Sequence, residues 1–217
     1  VEGAEEYHEA QDGYNVVLSL DEAIQYYVEK ALEKGMEKTG AKRIMCLVMN
    51  PRTGEILASA TTPGYDPNDP MDEKNIPETQ RKAYENMSTD EKQNYLISLW
   101  RNPVVSDTYE PGSTFKLLTS SSALEEKVIN NNTTFHCAGS FTVAGVRLHC
   151  WTSGSHGTQN IRQAIGNSCN PALAKVAALM GKTTFYKYLG LYGITEKTGV
   201  DYPGEAGSIM YALKDVG

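Results

Sequence analysis

The sequence predicts a mixed α/β fold of the α+β type, in which helices pack around an antiparallel sheet. Two patterns predict it: apolar residues recur at helical spacing in several segments, and two pairs of short apolar runs are joined by turn residues. A chain of 217 residues and 23.8 kDa is long enough to bury a substantial core. Its 40% hydrophobic and 22% charged residues exclude fibrous and low-complexity chains. Because no repeat or linker divides it, we predict one domain over residues 1–217, with 1–18 leading into it.

The first elements follow from this periodicity. Apolar residues at helical spacing predict a helix over residues 21–38, with Ser19 or Asp21 as its N-cap. Two apolar runs at 43–50 and 55–61 flank turn residues and predict a β-hairpin. The remaining predicted elements are a long loop at 62–77, helices at 80–100, 113–126, 170–180 and 183–191, and a second hairpin at 135–151 with Ala144 and Gly145 at its turn.

The charge balance narrows the possible partners. Twenty basic and 27 acidic residues give a formal net charge of −7, which disfavours nucleic acid. The longest apolar run, Ile44–Met49, is far shorter than the roughly 20 residues that cross a bilayer. The start of the chain lacks the pattern of a signal peptide. We therefore expect membrane association only through an anchor absent from this chain.

Ser113 and Lys116 form the first pair able to do chemistry. They stand three residues apart at the start of a predicted helix, so both side chains would project on the same face. A serine needs a base to become a nucleophile, and a lysine can be that base when its pKa is lowered. The tetrapeptide alone is weak, because Ser-x-x-Lys occurs by chance about once in a chain of this size. Its simplest alternative is an N-cap serine and a solvated lysine.

Ser168 and Asn170 form a second polar pair, just before another predicted helix. As alternate residues they can point into one cleft, although a capping turn would give the same pattern. A Ser-x-x-Lys followed by Ser-x-Asn is the opening pair of motifs in the penicillin-recognising serine enzymes, whose third motif is Lys-Thr-Gly. The two weak signals therefore support each other.

The residues around the serine identify a family. Residues 101–116, RNPVVSDTYEPGSTFK, closely resemble the active-serine segment of class B penicillin-binding proteins, the monofunctional peptidoglycan transpeptidases. Four further stretches that resemble the family lie at 18–29, 48–60, 154–170 and 193–207. The resemblance implies the transpeptidase fold shared with serine β-lactamases, lacking its C-terminal strands, and the cysteine-bearing hairpin suggests the branch that serves cell division or sporulation.

The resemblance also implies roles by position. Ser113 would be the acylated nucleophile, Lys116 its general base, and Ser168 the proton relay to the leaving amine. Asn170 would orient Lys116 and bind the substrate amide, so that Ser168 and Asn170 also serve substrate binding. The implied reaction is attack on a D-Ala-D-Ala stem peptide, which needs no cofactor, and penicillins would trap the serine.

The same resemblance implies the binding partners and the location of the protein. The implied partners are the peptidoglycan stem peptide, β-lactams and proteins of a wall-synthesis complex, on the extracytoplasmic face of the bacterial membrane. Two alternatives stay open: a relative that senses or hydrolyses β-lactams, and a structural fragment that is inert without the Lys-Thr-Gly strand. Lys197, Thr198 and Gly199 spell that motif, but they follow Asn170 too closely and lie in a turn-rich context. We therefore expect the true third motif beyond Gly217.

The cysteines leave three states open. Cys137 and Cys150 are predicted to face each other across the second hairpin, with His149 and His156 nearby. A disulfide, a structural zinc site and free thiols are all compatible with this arrangement. The candidate metal ligands are Cys137, Cys150, His149 and His156. Cys169 lies between the two residues of the second motif, so its side chain should point away from the cleft into the core.

Overall fold

The computed structural model describes residues 10–215, which contain helices and antiparallel strand pairs. The helices are α1 (Glu22–Thr39), α2 (Glu78–Glu85), α3 (Thr89–Leu99), α4 (Pro103–Ser106), α5 (Phe115–Glu125), α6 (Ile161–Gly166), α7 (Asn170–Met180) and α8 (Lys182–Leu191). The strands are β1 (Ile44–Met49), β2 (Ile56–Thr62), β3 (Thr134–Cys137), β4 (Ser140–Val143), β5 (Val146–His149) and β6 (Gly157–Asn160). They pair as β1–β2, β3–β6 and β4–β5, so the described strands form three two-stranded sheets. The chain divides into two compact units between Val104 and Val105.

The first unit confirms the predicted helix and hairpin. Helix α1 begins after Asp21, whose side chain accepts the backbone N–H of Ile24 at 2.9 Å. It ends at Gly40, which adopts φ 63° and donates its N–H to the carbonyl of Met36. Strands β1 and β2 pair antiparallel, and helix α1 packs on β2. Among the described residues, no helix is both long enough and apolar enough to span a bilayer.

The single helix predicted at 80–100 is wrong. Helix α2 ends at Glu85, and α3 begins after Ser88. Ser88 and Glu91 form a capping box: the Ser88 N–H donates to the Glu91 carboxylate at 2.8 Å, and the Glu91 N–H donates to Ser88 Oγ at 3.4 Å. Ser-x-x-Glu is a sequence signature of a helix start, so the break at this point was predictable.

The second unit is built on α5 and α7. Helix α7 begins with Asn170 and Pro171 and stops at Gly181, as the sequence predicts. Small residues form the buried face of α5: Thr119, Ser120, Ser122 and Ala123. Their size lets α5 pack closely against the apolar face of α7. This packing holds the starts of both helices, where the candidate site residues lie.

The second predicted hairpin is only partly correct. Ala144 and Gly145 do form a turn, but it joins β4 to β5 alone. Strand β3 pairs instead with β6, so that Cys137 lies opposite Gly157. The predicted strand was too long because Gly139, at φ 87°, interrupts it between β3 and β4. Helix α6, capped by Asn160, was not predicted.

Candidate active site

Ser113 lies just before helix α5. It occupies the 3₁₀ turn Gly112–Thr114, which leads directly into the α-helix at Phe115. Gly112 adopts φ 58°, a left-handed conformation in which the chain can turn sharply into the helix. Lys116 follows in the first turn of α5, and its Nζ lies 3.0 Å from Ser113 Oγ. The predicted Ser-Lys pair is therefore assembled in the structure.

Ser168 reaches the same point from the end of helix α6. The N–H of Ser168 donates to the carbonyl of Ile165, and the N–H of Cys169 donates to the carbonyl of Ala164, both at 2.9 Å. These two bonds define a Schellman motif with Ser168 as the residue after the cap. Ser168 adopts φ 47°, a left-handed conformation that normally favours glycine. The motif therefore holds a serine where the backbone alone would select glycine.

Three side chains form one hydrogen-bonded network. Ser168 Oγ donates to Ser113 Oγ at 2.7 Å, and Lys116 Nζ lies 2.9 Å from both Ser168 Oγ and the Ser168 carbonyl oxygen. A neutral amine has two protons and one lone pair. It can donate to Ser168 twice while it accepts the hydroxyl proton of Ser113. The network is thus arranged for transfer of a proton from Ser113 to Lys116.

The surroundings of Lys116 favour its neutral form. The side chain is half-buried, and this desolvation lowers its pKa from 10.5. The nearby thiols of Cys169 and Cys150 act in the opposite direction but do not reverse the shift. Lowering the pKa of a lysine increases the fraction able to act as a base near neutral pH. Ser113 itself is exposed, so a substrate can reach the hydroxyl that Lys116 would activate.

Comparison with known proteins decides the family. The family model described as the penicillin binding protein transpeptidase domain matches residues 44–214. The chain belongs to this family. The predicted resemblance to penicillin-binding protein transpeptidases is therefore confirmed.

Two curated relatives extend this assignment. The chain is 34% identical over 215 residues to stage V sporulation protein D of Bacillus subtilis, covering 99% of this chain and 30% of that protein. It is 30% identical over 202 residues to peptidoglycan D,D-transpeptidase MrdA of Escherichia coli K12, covering 92% of this chain and 29% of that protein. It thus spans less than a third of the length of these curated relatives.

A solved structure of this family shares the fold. Penicillin binding protein 3 from Mycobacterium tuberculosis, complexed with ampicillin, superimposes with a TM-score of 0.77 at 26% identity. The match covers 96% of this chain and 42% of that one. The predicted transpeptidase fold, mixing helices and antiparallel strands, is therefore confirmed.

Asn170 lies beside the hydrogen-bonded network, in the wall of the same groove as Lys116, but bonds elsewhere. It is the first residue of α7, and its Nδ2 donates to the carbonyl of His149 at 3.1 Å. The polar contacts of Lys116 Nζ go instead to Ser113 and Ser168. Asn170 and Lys116 both line a groove of about 460 Å³, together with Arg147 and His149. The predicted role of Asn170 in orienting Lys116 stays a prediction, whereas its position suits contact with a substrate.

The Lys-Thr-Gly sequence at 197–199 lies outside the helices and strands. The backbone N–H and the hydroxyl of Thr198 donate to the Glu205 carboxylate at 2.6 and 2.7 Å, and the N–H of Gly199 does so at 3.2 Å. In the penicillin-binding proteins the third motif is expected on a strand, as the sequence resemblance implies. This loop geometry agrees with the interpretation that residues 197–199 are not that motif.

The structure assembles a different cysteine and histidine cluster from the predicted one. One ligand atom each of Cys137, Cys150, His156 and Cys169 lies within 4.8 Å of all the others. His149 is outside this group because it is exposed, whereas its neighbour Cys150 is buried. Cys169 takes its place, and its side chain does point into the core as predicted. The sequence predicts that Cys169 is buried, but not that the other two thiols of the cluster line the same part of the core.

The thiols of this cluster are strongly perturbed. Burial raises the pKa of Cys169 to about 11. Burial acts in the same direction on Cys137, but hydrogen bonds from the backbone N–H groups of His156 and Gly139 prevail and lower its pKa to about 6. Two neighbouring thiols of the cluster therefore have pKa values shifted in opposite directions. All four cysteines of the chain, Cys46 included, are present as free thiols in this structure.

Proposed function

We propose that this chain carries the acylation machinery of a serine-type peptidoglycan D,D-transpeptidase. The observation that carries the proposal is the hydrogen-bonded network of Ser113, Lys116 and Ser168, with Lys116 Nζ 3.0 Å from Ser113 Oγ. Membership of the penicillin-binding protein transpeptidase family supports it. A similar protein, MrdA of Escherichia coli, is named a peptidoglycan D,D-transpeptidase.

The first half-reaction is acylation of the serine. Lys116 accepts the hydroxyl proton of Ser113 while Ser113 Oγ attacks the carbonyl carbon of the penultimate D-alanine of a stem peptide. The bond from that carbon to the nitrogen of the terminal D-alanine then breaks. Ser168 gives its hydroxyl proton to the leaving amine and recovers one from Lys116, so that D-alanine leaves and Lys116 is neutral again.

The second half-reaction transfers the acyl group. An amine of a neighbouring stem peptide attacks the ester carbonyl, loses a proton to the basic network, and releases Ser113 with its hydroxyl restored. A penicillin acylates Ser113 by opening its β-lactam ring and leaves an ester that a nucleophile attacks slowly. The reaction uses side chains alone, so it requires no cofactor.

Substrate binding is assigned to the groove beside the network. Ser168 contacts the attacking hydroxyl directly, and Asn170 lies in the wall of the groove with Lys116. An asparagine carboxamide has both donors and an acceptor, which match the two polar groups of a peptide bond. We assign Asn170 to the substrate amide. Arg147, also in the groove wall, adds a cationic group next to it.

The remaining functional assignments extend this proposal. We place the chain at the N-terminal portion of a single transpeptidase domain, with the Lys-Thr-Gly motif supplied by residues that follow it in the parent protein. The site of action is the extracytoplasmic face of the membrane, where peptidoglycan is cross-linked. The expected partners are stem peptides, β-lactams and proteins of a wall-synthesis complex.

Covalent labelling tests the proposal. The full-length protein that carries this chain is incubated with a fluorescent penicillin and resolved on a denaturing gel. We expect a lasting fluorescent band that is absent from Ser113→Ala and present in Ser121→Ala. Ser121 is the matched control, because it is an exposed serine of the adjoining helix α5 whose hydroxyl bonds within that helix and to Tyr192.

Other outcomes would contradict the proposal. A band that forms and fades within seconds identifies a hydrolase. Absence of a band from the full-length protein, with its fold confirmed by circular dichroism, excludes the acyl-enzyme mechanism. A band that persists in Ser113→Ala assigns the nucleophile elsewhere.

A further inference from the structure

A compact set of sulfur and nitrogen atoms lies behind the second motif. The ligand atoms of Cys137, Cys150, His156 and Cys169 are mutually within 4.8 Å, and His156 Nδ1 lies 3.2 Å from Cys150 Sγ. Cys137 and Cys169 have no exposed surface, and Cys150 is only 8% exposed. The proposed reaction uses none of these four side chains. They therefore need an explanation of their own.

The spacing fits one tetrahedral metal ion. With Zn–S bonds of about 2.3 Å and Zn–N bonds of about 2.0 Å, tetrahedral geometry separates the sulfurs by about 3.8 Å and each sulfur from nitrogen by about 3.5 Å. The observed upper limit of 4.8 Å therefore requires only small movements of side chains. Three cysteines and one histidine are a ligand set of structural zinc sites, and burial leaves the site closed.

A buried amide next to the cluster supports the same interpretation independently. Gln159 is 3% exposed, and its Nε2 has no hydrogen-bond partner among the described residues. Its Oε1 is satisfied by the Asn167 amide at 3.0 Å, which fixes the orientation of the carboxamide. This bond joins Gln159 to Asn167, which lies two residues before Cys169 in the same turn. A neutral thiol is a weak acceptor, whereas a metal-bound thiolate gives the orphaned N–H a charged partner.

We propose that Cys137, Cys150, His156 and Cys169 bind one structural Zn²⁺ ion, with Gln159 donating to the Cys169 thiolate. Binding converts three thiols to thiolates, so up to three protons leave as one Zn²⁺ enters, and His156 binds as the neutral imidazole. No redox step and no bond to substrate is involved. The ion would link the end of β3 and the segment after β5 to the turn between α6 and α7.

The position of Cys169 would connect a bound metal ion to the backbone of the active-site residue Ser168. Cys169 lies between Ser168 and Asn170 and is the residue that completes the Schellman motif at the end of α6. A metal bond to its sulfur would therefore hold the backbone from which the Ser168 hydroxyl reaches Ser113. This inference rests on the cluster itself, so it stands or falls separately from the transpeptidase activity.

Metal analysis of the purified protein is the first test. The full-length protein is purified without chelator, and zinc is measured by elemental mass spectrometry. We expect about one equivalent of zinc per chain in a closed four-ligand site. Replacement by Co²⁺ should give the intense visible bands of a tetrahedral site and a thiolate-to-cobalt charge-transfer band. A protein that binds neither added Zn²⁺ nor Co²⁺ would overturn the proposal.

Single substitutions identify the ligands. We expect Cys137→Ser and Cys169→Ser each to lower bound zinc about tenfold, whereas Cys46→Ser should retain it, because loss of one of four ligands weakens a closed site. Cys46 is a matched control, since it is a half-buried cysteine of β1 outside the cluster. His156→Asp, which keeps a ligand atom, should retain Co²⁺ with altered bands. This variant tests the site even if a serine variant does not fold.

The alternative thiol states give distinct results. A disulfide lowers the intact mass by two hydrogens and blocks alkylation until a reductant is added. Free thiols keep the reduced mass and are alkylated after denaturation without releasing metal. Either result in metal-replete protein would overturn the zinc proposal, and neither bears on whether Ser113 is acylated by penicillin.

Discussion

Ser168 and Cys169 are neighbours in sequence but belong to two different kinds of site. The Ser168 hydroxyl lies 2.7 Å from Ser113 Oγ in a network that an incoming substrate can reach. Cys169 has no exposed surface, and its sulfur lies among other thiols. The backbone changes from φ 47° at Ser168 to φ −75° and ψ 106° at Cys169, which sends the two side chains to opposite sides. One short turn thus serves both an open polar site and a closed one.

The comparison shows which interactions keep the Ser168 backbone in its left-handed conformation. The hydrogen bonds of the open site contribute about 1 kcal/mol each, which is similar to the cost of the left-handed conformation at Ser168. The backbone of this turn is also stabilised by the two Schellman hydrogen bonds and by the Cys169 side chain, which packs in the core. Perturbing the open side should therefore change the rate of acylation and leave folding intact. Perturbing the closed side should change stability.

The largest expected effect is the fall in the rate of acylation caused by Lys116→Arg. Arginine keeps the positive charge but cannot lose a proton at accessible pH, so it cannot serve as the base. We expect the second-order rate constant of penicillin acylation to fall by about 10² to 10⁴-fold, the usual contribution of a general base. Stopped-flow fluorescence measures it. Lys175→Arg is the control, because its Nζ donates to the carbonyl of His136 and lies over the ring of Phe141. Equal rates for both variants would exclude Lys116 as the base.

Removal of the metal should lower the thermal stability of the protein, which is the second largest effect that we expect. At free zinc of about a hundred times Kd, binding to the native state alone adds about 2.7 kcal/mol to the free energy of unfolding. For a chain of this size that corresponds to a rise in Tm of about 5 to 10 °C over the chelated protein. Differential scanning calorimetry measures the shift, and Cys169→Ser should abolish it. Ser113→Ala should show the full shift, since the metal does not touch the nucleophile.

The sequence predicted the open site far better than the closed one. Ser113 and Lys116 are three residues apart where a 3₁₀ turn runs directly into α5, and this spacing alone brings them together. The motif locates Ser168, but its φ of 47° depends on α6, which the sequence pattern does not predict. A helix of six residues contributes too weak a periodic signal to be recognised.

The closed cluster depends on long-range pairing, which local patterns do not specify. The prediction placed Cys137 opposite Cys150 in one hairpin, whereas β3 pairs with β6 and brings in His156 and Cys169. His149 was included because it is adjacent in sequence, but successive residues of an extended chain face opposite ways. The break between α2 and α3 was predictable from the capping box at Ser88.

The pH dependence of acylation sharpens the assignment of the base. Lys116 must be neutral to accept the proton, so the rate should rise with pH and level off above its pKa. Burial lowers that pKa, so the rising limb should have its midpoint below 10.5. Below the midpoint the rate should change about tenfold per pH unit, equivalent to about 1.4 kcal/mol. A profile measured with a stable fluorescent β-lactam checks this, and the same limb in Lys116→Arg would contradict it.

The finest test compares Ser168→Gly with Ser168→Ala. Both variants lose the hydroxyl that bonds to Ser113 and Lys116, so both should acylate more slowly than the unsubstituted protein. Their stabilities should differ, because φ 47° is easy for glycine and costs alanine about 1 kcal/mol or slightly more. Urea denaturation should therefore show a higher midpoint for Ser168→Gly.

Each outcome of this comparison separates the two sides of the turn. Equal midpoints would contradict the left-handed conformation that the Schellman motif requires at Ser168. Unchanged acylation in either variant would remove Ser168 from the proton relay. Because both variants keep Cys169 in place, both should bind zinc as the unsubstituted protein does. Loss of zinc from Ser168→Gly alone would mean that the strained serine, and not only the buried sulfur, is needed to hold the metal site together.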